Sequence, residues 1–326
     1  MAAEPLLSVR GLRVEFGSHR GLLTAVDGID FDVREGEVLG LAGESGSGKS
    51  MTLRSLLRLV KAPGQVSGQA LWRGRDLLAL PEAEMRRVRG REIAMIFQEP
   101  MTALNPVLTV GTQIRENLKE HTELDAAARK ARAIELLDHV GIPSAKSRVD
   151  DYPHQFSGGM RQRAMIAIAL AAKPRLLLAD EPTTALDVTI QDQILKLLLR
   201  LRSELRMSVI LVTHDLGVIA QSCDRLVVMY AGQVVETGPV AALFAQPRHA
   251  YTLGLLNSVP RAGAVRQPLA SIPGQPPSLL ELPKGCAFAP RCRFAIAACG
   301  GNRPPLVEVG PEHFSSCLRH RDVANR

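Results

Sequence analysis

The chain has 326 residues, enough by the usual prior for about two domains and a sizeable core. Apolar residues make up 46% and charged residues 22%, which excludes wholesale disorder, collagen and a disulfide-stapled miniprotein. Aromatics at 4% argue against a stacking platform for single-stranded nucleic acid, and no apolar run approaches the roughly 18 residues that cross a bilayer.

The opening residues lack a charged segment followed by an apolar one, so no signal peptide is expected. A cytoplasmic protein, or one held on a membrane by partners, is the expectation. Residues 37–42 form a short apolar run that ends in glycines and predict a buried strand. Residues 49–60 place Met51, Leu53, Leu56, Leu57 and Val60 at helical spacing. Another apolar run, 93–97, predicts a strand. Residues 125–140 are rich in Ala, Arg, Leu and Glu and stop at Gly141, which predicts a helix. Residues 160–172 predict a second helix, ended by Lys173 and Pro174. A buried strand is expected at 176–179, a long amphipathic helix at 188–205, and strands at 209–212 and 226–229. Strands alternating with helices imply an α/β sheet that is parallel in large part. A nearly all-helical insert is expected over about residues 100–170.

A boundary is expected near residue 255. Eleven of the 21 prolines fall after residue 240, and residues 258–283 hold six of them, which predicts a linker or an extended wrap. Of the net charge of +7, residues 241–326 carry +6, with ten Lys/Arg against four Asp/Glu. A solvated basic surface explains that excess more simply than a nucleic-acid partner, and none is expected.

The strongest chemical signal is residues 43–50: Gly43, Glu44, Ser45, Gly46, Ser47, Gly48, Lys49 and Ser50. They fit G-x-x-x-x-G-K-[ST] between a predicted strand and a predicted helix, the context that confirms a phosphate-binding loop. Glycines let successive N–H groups face one anion, and the helix adds its positive end. Lys49 reaches the β- and γ-phosphates, and the Ser50 hydroxyl ligates Mg²⁺. The second signal is the apolar run 176–179 followed by Asp180 and Glu181. Carboxylates at the C-terminal end of such a strand stand where open α/β sheets bind ligands. Asp180 suits a magnesium shell and Glu181 an attacking water. Ahead of the helix at 160, Phe156, Ser157, Gly158, Gly159 and Met160 combine a helix cap with exposed backbone amides.

With these residues in this order, residues 6 to about 255 resemble the nucleotide-binding subunit of ATP-binding-cassette (ABC) transporters. Residues 43–50 match the Walker A loop, and 177–181 the Walker B strand. Residues 157–161 are similar to the family signature, with Phe156 and Met160 in place of the usual Leu and Gln. The resemblance assigns Gln98 to the Q-loop, Ala185, Leu186 and Asp187 to the D-loop, and His214 to the switch histidine. Phe16 is similar to the aromatic that stacks on adenine, although alone such a residue is more often core than stacking platform. Met51 completes the ATP contacts. The implied fold is a P-loop NTPase cassette with an antiparallel β part and a helical subdomain. The implied ligands are ATP and Mg²⁺, the ion held through Ser50, Gln98 and Asp180. Glu181, His214 and Gln98 are the implied catalytic residues. Ser157, Gly158, Gly159 and Asp187 are expected to act on the nucleotide of a partner cassette.

Residues 96–106, 152–155, 229–236 and 247–252, and Gly285, Cys286, Pro290, Arg291 and Cys292, resemble the dipeptide/oligopeptide/nickel importer branch. Within it the first of the paired ATPase subunits of dipeptide permeases is the nearest likeness. That implies two transmembrane permease subunits, a second homologous ATPase subunit and, indirectly, an extracytoplasmic substrate-binding protein. It also implies a peripheral place on the cytoplasmic face of the membrane. A nickel or other small-solute importer, or a non-transport ABC ATPase, are the alternatives.

Cys286, Cys292, Cys299 and Cys317 are spaced C-x5-C-x6-C-x17-C, which matches neither the common zinc pairs nor the common ferredoxin patterns. By themselves they say only that four thiols are able to meet at one metal. The resemblance implies a [4Fe–4S] cluster, with zinc or bare thiols as alternatives. Cys223 reads as an ordinary buried thiol. The expected layout is thus a cassette over 1–255 and a small, irregular, cysteine-containing extension over 256–326.

Overall fold

A computed structural model describes residues 4–19, 21–184, 186–258 and 271–325. They fall into two compact units, residues 1–79 with 212–326 and residues 80–211.

The first unit holds the antiparallel part. Gly21–Val33, Leu7–Ser18, Gly64–Trp72 and Arg75–Asp76 lie in that order, with Leu7 opposite both Val33 and Trp72. Leu7 and Val9 are buried, and so are Leu12 and Val14. The period-two pattern changes phase between them because the pairing register shifts there, as at a bulge. The same unit holds a second run of strands in the order Val307–Gly310, His313–Ser315, Gln233–Pro239, Arg225–Tyr230 and Val38–Ala42. The last two run parallel, Leu39 facing Arg225 and Ala42 facing Val228. Every residue of Val38–Ala42 is buried, as its unbroken apolar sequence requires. The helix that follows is Lys49–Leu56, four residues shorter than its apolar spacing predicts. Arg58 takes a left-handed φ of 54° and ends the helical path.

The expected linker past 257 divides in two: residues 259–270 lie outside the described residues, and 271–283 are irregular as predicted. Beyond them come the 3₁₀ turns Ala289–Arg291 and Ala297–Gly300, two short strands and the helix His320–Ala324. Phe288 and Val323 share a core with Leu226, Val228, Tyr230, Val235, Leu243 and Tyr251. The fully buried Glu236 carboxylate accepts from the N–H groups of Arg248 and His249 and pairs with His313 Nε2 at 2.7 Å. Its charge is therefore met by three partners, as a buried ion requires.

The second unit contains the strands Ile93–Ile96 and Leu176–Asp180, paired in parallel, and next to them Ser208–Val212, whose last residue counts with the first unit. Its helices are Glu82–Val88, Pro100–Ala103, Val110–His121, Ala126–His139, Ala145–Arg148, Gly158–Leu170 and Val188–Leu205. The expected helical insert is present. Four of these helices begin on a side-chain cap: Thr109, Asp125, Ser157 and Asp187 accept from the backbone N–H three residues on. Each such cap is worth about 1 kcal/mol. At the other end of Ala126–His139, Gly141 has φ 80°, so the stop read from the sequence is a left-handed glycine.

Candidate nucleotide-binding site

In the first unit the loop 43–50 joins strand Val38–Ala42 to helix Lys49–Leu56. Its glycines are required by space as well as by conformation. Gly43 has φ 151°, and a Cβ there would stand 2.2 Å from the Met229 carbonyl oxygen; Gly48 has φ 102°, and its Cβ would stand 2.6 Å from that of Ala25. The curled loop wraps Lys49, whose side chain is buried. Its Nζ donates to the carbonyls of Gly43 at 2.7 Å and Glu44 at 3.0 Å and to Ser47 Oγ at 3.4 Å. Ser47 is buried, Ser45 and Gly46 are exposed, and Ser50 and Met51 lie half-buried in the first helical turn. A buried ammonium at the positive end of a helix is the electrostatic setting of an anion site.

Phe16 stands half-buried in strand Leu7–Ser18, opposite Leu23 and Gly64. Its ring edge occupies the space a Cβ of Gly64 would need. His214 is exposed, between Thr213 and Asp215, the residue that caps helix Leu216–Ser222.

In the second unit Leu176–Asp180 is buried throughout and ends on a fully buried Asp180 carboxylate. Glu181 follows with a left-handed φ of 45°, a conformation that a non-glycine residue adopts only when its surroundings impose it. Its Oε2 accepts from Gln98 Nε2 at 3.0 Å and from Thr184 Oγ1 at 2.9 Å. Two residues 83 positions apart, each singled out from the sequence, thus share one hydrogen bond. Thr184 is a third partner that the sequence did not announce.

Ser157 and Gly158 are exposed, and Gly159 is half-buried. Ser157 Oγ accepts from Met160 N–H at 3.3 Å. Asp187 is likewise exposed and accepts from Ile190 N–H at 3.0 Å. The two helix starts lie side by side: a Cβ on Gly159 would come within 3.0 Å of Ile190 Cγ2, and one on Gly158 within 3.6 Å of Leu186. Ala185 lies outside the described residues.

The four tail cysteines line one small cavity with His249 and Phe288. Burial pushes the Cys286 and Cys292 thiols up and that of Cys317 up to about 11, which favours the neutral thiol. Among the described residues no three His, Cys, Asp or Glu side chains are grouped closely enough to hold a metal ion. By residue type the lining suits a soft metal, with four cysteines and no carboxylate among it, although the thiols are not drawn close enough together to hold one.

One set of contacts escaped the sequence. Glu44, inside the phosphate loop, is held by Tyr251 and Arg291. No local spacing connects residues more than 200 positions apart.

Comparison with known proteins gives a consistent picture. Residues 26–184 match the ABC transporter family, and residues 235–299 match the C-terminal region of oligopeptide/dipeptide transporters. The chain is 49% identical to the oligopeptide transport ATP-binding protein OppD of Escherichia coli, over 97% of this chain and 94% of that protein. OppD of Salmonella typhimurium gives the same identity and coverage. Among solved structures, the ATP-binding cassette MJ0796, a dimer bound to ADP and Pi after hydrolysis, superposes with a TM-score of 0.65 at 28% identity. The match covers 72% of this chain and 98% of that one. CbiO1 from Clostridium perfringens, part of an ABC transporter complex, gives 0.62 at 27% identity, over 74% of this chain and 92% of the other. Among the described residues no helix is long and apolar enough to cross a membrane.

Proposed function

Because the chain belongs to the ABC transporter ATP-binding family, in its oligopeptide/dipeptide branch, we propose that it is the ATP-hydrolysing subunit of an importer for di- or oligopeptides. The observation that carries this is the phosphate loop: a buried Lys49 encircled by loop carbonyls at a helix start. The OppD relatives, named for oligopeptide transport and matched over nearly their whole length, support the substrate class.

In this reading residues 43–51 bind the ATP phosphates and Phe16 stacks on the base. Mg²⁺ neutralises phosphate charge; Ser50, Asp180 and Gln98 offer the hard oxygen donors that suit it. Glu181 orients and deprotonates the attacking water, and Gln98 and Thr184 hold its carboxylate in place. His214 completes the catalytic set. Ser157, Gly158, Gly159 and Asp187 face the nucleotide of a second, homologous cassette, so the working unit is a head-to-tail pair. The pair acts on two membrane-spanning permeases at the cytoplasmic face, supplied by an extracytoplasmic binding protein. The division of labour follows residue 255, with ATP chemistry before it and the importer-specific extension, 256–326, after it.

The four tail thiols are the ligands we assign to a [4Fe–4S] cluster. Their shared cavity supports that ligand set, and a bound cluster would keep all four thiols deprotonated. Anaerobically purified chain is expected to contain iron and acid-labile sulfide in equal amounts, about four of each. One zinc per chain, or no metal, refutes the assignment.

The ATPase reading is tested by Glu181→Gln. Nucleotide binding should persist while turnover in the assembled importer falls by about 10²–10⁴-fold, the usual worth of a general base. Near-normal turnover removes Glu181 from that role.

A further inference from the structure

The phosphate loop is tied to the C-terminal extension at one residue. Glu44 is the second residue of the loop, and its carboxylate receives both arms of the Arg291 guanidinium, NH1 to Oε2 at 2.7 Å and NH2 to Oε1 at 3.0 Å. This is the planar two-point geometry that arginine provides and lysine does not. The Arg291 side chain is 5% exposed and that of Glu44 is 26% exposed, so the pair lies largely out of water.

Arg291 is itself tightly fixed. Its Nε donates to the Pro273 carbonyl at 2.9 Å, and NH1 also reaches Tyr230 Oη at 3.3 Å. The guanidinium stands 5.8 Å from the ring centre of Tyr230 and 5.9 Å from that of Phe288. The backbone turn that carries it, Ala289–Arg291, closes with Arg291 N–H on the Phe288 carbonyl. The chain has three tyrosines, and two of them, Tyr230 and Tyr251, meet here with ring centres 4.6 Å apart. Tyr251 Oη accepts from the Glu44 N–H at 2.6 Å. Glu44 is therefore held by its amide and by its side chain, while its carbonyl accepts from Lys49 Nζ and from Ser47 N–H.

A carboxylate inside a loop that must receive polyphosphate is unfavourable unless its charge is met. We propose that Arg291 is a positioning residue for nucleotide: by neutralising and fixing Glu44, it sets the shape and the charge of the phosphate loop from the C-terminal extension. The extension, absent from the 26–184 match, thereby becomes a determinant of ATP affinity. This rests on residues 43–50 being the nucleotide loop.

The test is calorimetric titration of the full chain with Mg–ADP, with circular dichroism to establish folding. Arg291→Met is expected to weaken binding at least fivefold, and Arg291→Lys to fall between it and the parent. In a Glu44→Gln background, where no loop carboxylate remains to be neutralised, the same Arg291→Met change should lose at least three times less affinity. A loss below fivefold in the parent, or an equal loss in both backgrounds, overturns the proposal, since a merely structural role predicts the latter. If Arg291→Met does not fold, Arg291→Lys carries the test, with a loss below twofold overturning it. Lys49→Ala separates the two failures. Unchanged affinity there means that the loop is not the nucleotide site; lost affinity there, with intact binding in the Arg291 variants, rejects only the role of Arg291.

Discussion

At the scale of single residues, environment decides chemistry. None of the five cysteines is in a disulfide, and Cys223 lies apart from the four of the tail. Burial, with the nearby Asp224 and Glu37 charges adding, pushes the Cys223 thiol up to about 12. Its sulfur also closes the space over Gly40, where a Cβ would come within 3.1 Å. Since the thiolate is the reactive form and its fraction rises with pH, roughly one Cys223 in ten thousand is ionised at pH 8. Native Cys223 should therefore react with iodoacetamide about a thousandfold more slowly than the same residue in denaturant. Peptide mass spectrometry over time checks this, and comparable native and denatured rates would refute it. Glu181 illustrates the same point. Its identity is legible as an acid after a buried strand, whereas its left-handed backbone and its bonds to Gln98 and Thr184 are visible only in three dimensions.

At the scale of elements, the helix starts at 157 and 187 carry the most weight in the proposed function. Both are capped by their own side chains, both caps are exposed, and Gly159 lies against Ile190. Gly159→Asp would add a carboxylate where, in the proposed pair, backbone amides meet the partner's phosphates, and crowd the neighbouring helix start. Hydrolysis in the assembled pair should fall by at least a hundredfold, with Mg–ADP affinity of the isolated chain within twofold of the parent. Loss of the chain's own affinity would contradict a site shared between cassettes. Helices of this kind were legible because cap, apolar period and stop coincide: Ala126–His139 lies within one residue of its expected bounds at each end. The antiparallel strands were not. In Leu7–Ser18 the first three residues are all buried and the next buried positions, Leu12 and Val14, fall on the other phase, so a period-two reading finds only fragments. Val307–Gly310 and His313–Ser315 are shorter still; they pair with each other, and only His313–Ser315 pairs with Gln233–Pro239, where Glu236 faces Ser315 from far along the chain.

At the scale of the whole molecule, the motifs proposed to carry the chemistry can be read from the sequence because each is local: a glycine loop, an acid after a strand, a cap before a helix. The contacts of Glu44 with Tyr251 and Arg291, and of Glu236 with His313, cannot, because they arise from long-range packing alone. The first unit is discontinuous, built from residues 1–79 and 212–326, whereas the second is the single stretch 80–211. On the ribosome this imposes an order. The second unit emerges whole while the first still lacks its C-terminal half, and domains generally fold as units during synthesis. Strand Val38–Ala42 must wait for Arg225–Tyr230, and Glu44 must wait longer, for Tyr251 and then Arg291. A nascent chain stalled short of residue 225 therefore leaves Val38–Ala42 without its parallel neighbour Arg225–Tyr230, and during that interval a chaperone has most to protect.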